Sequence, residues 1–160
     1  DIGPFHEPPF HVIPNLKNEA FLSEQAPWYF LSAGRKDRIL GDRILPSIMN
    51  RREDYVFEMP LSQKMTVTSE GILRLRSDES IVDRELEVRC GKTVLEPVDF
   101  IAKPIPHPYD DAWLGSADDT ACFSFPSELI ENQKRVAITI RVLAGIRVRL
   151  TYLDLAFPKS

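Results

Sequence analysis

The chain is short of the residues that several functional classes depend on. Among 160 residues there are two cysteines, three histidines and seven glycines. Two cysteines, Cys90 and Cys122, cannot build the disulfide framework of a small secreted scaffold, and a chain of this length can bury a core without one. They read as buried free thiols, or as one bridge if their strands are neighbours. No Cys-x-x-Cys pair and no Asn-x-Ser/Thr sequon occurs. With so few glycines, no glycine-rich phosphate loop is present and no Gly-x-Ser-x-Gly elbow can be drawn. The histidines, His6, His11 and His107, lie beside prolines in loop-like segments, and no nucleophile, base and orienting third group can be nominated together. No run approaches the 18 or so apolar residues of a membrane span, so none is expected.

Positive charge is also in deficit. Twenty Lys and Arg against 24 Asp and Glu leave a net charge of −4, without the basic footprint that phosphate neutralisation requires, so nucleic acid is not an expected partner. The densest basic stretches, Arg35-Lys36-Asp37-Arg38 and Arg51-Arg52, are broken or followed by acids and read as solvated surface. The first residue is Asp1, which suggests a processed product or a domain cut from a longer protein. The compartment stays open.

Proline is plentiful: 13 residues, which weighs against long helices. Four of them fall in the first fourteen positions, so residues 1–26 read as a proline-rich lead-in or linker lying against the domain, with one helical turn over 18–24. From residue 27 to 160 the period is mostly two. Trp28–Ser32 and Tyr55–Met59 favour strands, and Met65–Thr68 with Ile72–Arg76 read as a hairpin about Ser69-Glu70-Gly71. A second hairpin is expected where Leu86–Cys90 meets Thr93–Leu95 across Gly91-Lys92. Ala121, Phe123 and Phe125 share a face, and Val136, Ile138, Ile140 and Val142 alternate with polar or small neighbours. In the last strand the parity changes near Tyr152, as at a bulge or where both faces become buried. About nine short strands, with a helical turn near 127–132, describe an all-β antiparallel sandwich.

Phe123-Ser124-Phe125-Pro126-Ser127-Glu128-Leu129, followed by Asn132-Gln133-Lys134-Arg135 and Val136–Val142, resembles the closing segment of galactose-binding-like jelly rolls. There a strand ends at proline and a short turn leads to a long strand crossing the sandwich. Leu86–Lys92 is similar to their mid-domain hairpin. The resemblance covers about residues 54–157 in architecture, without a diagnostic motif. It implies a non-catalytic, lectin-like carbohydrate-binding module, an accessory domain of a glycan-active or glycan-assembling protein, with oligosaccharide or polysaccharide and the other domains of the parent chain as partners. The rival is a protein-interaction or structural module working through the lead-in or a strand edge.

The richest functional composition lies in Ile105–Asp119. Trp113 or Tyr109 can stack on the apolar face of a sugar ring, while Asp110, Asp111 and His107 exchange hydrogen bonds with its hydroxyls. The alternative is that Trp113 and Tyr109 plug the end of the sandwich and the aspartates cap turns. No cofactor is expected apart from a structural calcium ion at Asp118 and Asp119, since carboxylates suit that cation, although the spacing is not that of an EF-hand. Trp28-Tyr29 forms a second aromatic pair, one residue facing inward and one outward. Arg135, Arg141, Arg147 and Arg149 could line one face if the last two strands pair, or simply form the solvated side of a sandwich.

Overall fold

The computed structural model describes residues 28–33, 38–40, 43–45, 47–60, 67, 69–99, 116–145 and 147–158, with the backbone alone up to Ser47. Within them the chain is mostly strand, with almost no helix. The elements are β1 (Trp28–Ala33), β2 (Arg38–Leu40), β3 (Arg43–Leu45), β4 (Ser47–Asn50), β5 (Asp54–Pro60), β6 (Gly71–Ser77), β7 (Glu85–Cys90), β8 (Thr93–Val94), β9 (Pro97–Val98), β10 (Thr120–Phe125), β11 (Arg135–Ala144) and β12 (Arg147–Pro158). A 3-10 turn, Ser127–Leu129, stands where the sequence predicts a helical turn. The proposed lead-in over 1–26, with its helical turn, lies outside the described residues.

Two antiparallel sheets make the all-β sandwich. One runs β1-β12-β6-β10-β9, with β4 also paired to β12; the other runs β5-β11-β7-β8; β2 and β3 form a separate hairpin. The alternation in β11 dictates its placement. Val136, Ile138, Ile140 and Val142 are buried to 1% exposure or less and meet Phe57, Met59 and Val88 in the core. The facing sheet contributes Leu73, Leu75, Phe123, Phe125, Leu153, Leu155 and Phe157. Each fully buried side chain of this kind contributes about 1.5–3 kcal/mol. Pro126 and the 3-10 turn carry the chain from β10 in one sheet to β11 in the other, and Gly145, at φ 96°, opens the return from β11 to β12. No L side chain adopts that φ readily, so glycine is required at this corner.

Several expectations meet the structure directly. The β7–β8 hairpin forms about Gly91 and Lys92, pairing Arg89 with Val94 and Cys90 with Thr93. The parity change in β12 is a register shift: Leu150 stands opposite Ser77 but Tyr152 opposite Arg76, so Thr151 is an extra residue. Its hydroxyl donates to the carbonyl of Arg76 at 3.1 Å. Beyond that point Tyr152 through Phe157 are all buried.

Of the hairpin expected about Ser69-Glu70-Gly71, the first strand, Met65–Thr68, lies outside the described residues apart from Val67, and the second is β6. A strand has two hydrogen-bonding edges, and those of β6 are taken by β10 and β12. Cys90 and Cys122 stand in different sheets and form no disulfide, and burial pushes the Cys90 thiol pKa up. The four arginines do not share a face either, because β11 and β12 belong to different sheets. On β11, Arg135 pairs with Glu58 at 3.3 Å and Arg141 with Asp54 at 2.6 Å; on β12, Arg149 pairs with Asp78.

The Arg141 hydrogen bond, joined by the nearby charges of Arg141 and Arg89, holds the Asp54 carboxyl below its ordinary value of 3.8. A carboxyl depressed in the folded state adds stability above its unfolded value, and that contribution is lost as pH falls through the lower folded value. Asp54→Asn is therefore expected to remove a small, salt-sensitive part of the acid destabilisation below about pH 4. Acid titration of the melting temperature in low and high salt checks this; indistinguishable acid limbs would refute it.

Candidate functional site

The candidate site is sought where β9 passes into β10. These strands are direct neighbours, with Cys122 opposite Val98 and Phe123 opposite Pro97. Antiparallel neighbours need only about two to five linking residues, yet residues 99–119 intervene. The two feet of this connection are fixed. Ser124 N–H donates to the Glu96 carbonyl at 2.8 Å, while Ser77 N–H and Ile81 N–H donate to the carbonyls of Asp119 and Asp118 at 2.9 and 2.8 Å. The returning foot is thereby sewn to the end of β6 and to the segment leading towards β7.

Asp119 closes the turn that delivers the chain into β10. Its Oδ1 accepts from Ser116 N–H at 2.7 Å and from the Thr120 hydroxyl at 2.9 Å, as short polar side chains do at turns. Its Oδ2 lies 3.7 Å from Arg76 Nε. Arg76 stands in register between Thr120 of β10 and Tyr152 of β12. Arg149, paired with Asp78, and the hydroxyl of Thr151 complete a polar cluster at this end of the six-stranded sheet.

Of the residues nominated from sequence, His107, Tyr109, Asp110, Asp111 and Trp113 lie outside the described residues. Asp118 and Asp119 are both placed at the returning foot, Asp118 through its backbone and Asp119 through its carboxylate. Among the described residues no group of three or more His, Cys, Asp or Glu could hold a metal ion, and no helix is long and apolar enough to cross a membrane. Trp28 and Tyr29 are consecutive in β1, opposite Pro158 and Phe157.

Two charged features were not nominated. Arg76 reads in sequence as an ordinary outward residue of an alternating strand, and only its register beside Thr120 brings it to the foot of the connection. Arg74 and Asp154 form a fully buried pair, joined by hydrogen bonds of 3.0 and 2.7 Å. The signal for this pair was an aspartate between Leu153 and Leu155, in a stretch apolar on both parities.

No protein-family model matches the chain, and no curated protein matches it. Among solved structures the chain is similar to the crystal structure of BuGH86wt in complex with neoagarooctaose, at 11% identity and a TM-score of 0.47, over 81% of this chain and 19% of that one. A variant of the same protein, also in complex with neoagarooctaose, matches at 11% identity and a TM-score of 0.46 over the same shares. The chain thus spans about a fifth of the length of those chains.

Proposed function

We propose that this chain is a non-catalytic carbohydrate-binding module of galactose-binding-like, jelly-roll type, serving a larger glycan-active or glycan-assembling protein. The observation that carries the reading is the 99–119 connection, far longer than its neighbouring strands require and anchored at both feet. A long connection held by a rigid scaffold is where binding residues concentrate. This one carries Tyr109 and Trp113 for stacking on a sugar ring, and His107, Asp110 and Asp111 for its hydroxyls. The crossing from β10 through Pro126 and a 3-10 turn into β11 supports the jelly-roll assignment.

Calorimetric titration against a panel of oligosaccharides tests the function. Saturable binding is expected, and Trp113→Ala is expected to weaken it about tenfold or more, the worth of one stacked aromatic in a binding site. A folded domain that binds none of the panel would move the assignment to a protein-interaction module. Running the titration in calcium and again in EDTA tests the calcium reading of Asp118 and Asp119.

A further inference from the structure

We propose that Arg76 reads an anionic group on the saccharide, so that the ligand is an acidic glycan bearing a carboxylate or a sulfate ester; this rests on the carbohydrate-binding reading and narrows it. The side chain of Arg76 is 23% exposed, and its Nε–H is buried with no hydrogen-bond acceptor among the described residues. The nearest carboxylate oxygen, Oδ2 of Asp119, lies at 3.7 Å, beyond hydrogen-bonding distance. Asp119 cannot simply turn to close the gap, since its Oδ1 is held by Ser116 N–H and the Thr120 hydroxyl.

Arg89 shares a buried Nε without an acceptor, but its side chain still donates through Nη2 to Asp54. Of the others, Arg74 donates twice to Asp154, Arg141 to Asp54, Arg135 to Glu58, and Arg149 to Asp78. A buried donor left unmade is costly and calls for an explanation in use. The guanidinium offers five N–H groups in a planar fork that matches two oxygens of a carboxylate or sulfate. A neutral hydroxyl fills one arm of that fork at most. The surrounding charges, Arg76 and Arg149 against Asp78 and Asp119, cancel, so the foot of the connection does not repel an anion. Because Thr120 is the first strand residue after the 99–119 connection and pairs with Arg76, the fork stands at the base of the segment that carries the stacking aromatics.

The test is calorimetry on the whole chain with three probes: an oligogalacturonate for carboxylate, a carrageenan-derived oligosaccharide for sulfate, and neutral cellohexaose. One anionic probe is expected to bind at least about tenfold more tightly than the neutral one, the worth of a charge-assisted bidentate contact. Arg76→Gln is expected to erase that preference, and Arg76→Lys, which keeps the charge but not the fork, to lose most of it. Arg135→Gln, on β11 of the other sheet, is expected to leave it in place. Thermal melts establish that each variant is folded; if Arg76→Gln is not, Arg76→Lys decides. Equal affinity for anionic and neutral probes, or a preference that survives the Arg76 changes, overturns the inference while the glycan reading stands. Absence of binding to any saccharide overturns both.

Discussion

Asp154→Ala is expected to destabilise the domain by about 3–5 kcal/mol, because it leaves the Arg74 guanidinium buried without its carboxylate. Both side chains have no solvent exposure. They face each other in register across β6 and β12, 80 residues apart in sequence, and meet through two parallel N–H to oxygen contacts of 3.0 and 2.7 Å. The pair itself is not the main source of stability. Removing two charges from water costs several kcal/mol per ion, and their attraction only roughly offsets that. Breaking it is what costs, since one partner's desolvation is then uncompensated. The double variant Arg74→Met, Asp154→Leu is accordingly expected to recover most of the loss. Urea unfolding of the wild type, both single variants and the double variant measures the coupling. Single variants that each cost less than about 1 kcal/mol would show that the site admits water.

The same pair marks the limit of what could be read from sequence. Alternation is a local property, and it placed β11, the β7–β8 hairpin and the parity change at Tyr152 without reference to any other part of the chain. Leu73-Arg74-Leu75-Arg76 has the same alternating form as Arg141-Val142, yet Arg74 is fully buried and Arg141 is half-buried. The difference lies in what covers the second face of each sheet, and periodicity carries no record of that. Strand order is hidden for a related reason. β6 takes its neighbours from residues 120–125 and 147–158, and such long-range pairing is chosen by complementarity of core volumes. Local turn chemistry around Gly71 holds no hint of these neighbours, which take both edges of the strand that follows it. For the candidate site, sequence supplied the composition of 105–119, while the structure supplied its anchorage and the partner at its foot, Arg76.

Gly71 has a different use, and it leads to the second large effect. A Cβ at this position would lie 2.6 Å from the Ala156 carbonyl oxygen and 2.7 Å from two ring carbons of Phe157, so glycine lets β12 and the Phe157 ring close down on β6. That ring is fully buried and meets Phe125 edge-on, with centroids 5.7 Å apart and planes at 89°. Phe157→Ala is expected to cost about 3–5 kcal/mol through the cavity it leaves between the sheets. Gly71→Ala is expected to cost about 1–3 kcal/mol by overpacking, because one of the atoms in its way is backbone and cannot rotate aside. The two changes should not add. With the ring gone, a methyl group at residue 71 enters the cavity and loses its clash with Phe157, but the contact with the Ala156 carbonyl remains, so relief is partial. A double-mutant cycle by chemical denaturation is expected to give a coupling of about 0.5–3 kcal/mol in the relieving direction. Strict additivity would mean that the Ala156 carbonyl alone sets the cost at Gly71, and that the close seating of Phe157 on β6 is not what glycine preserves there.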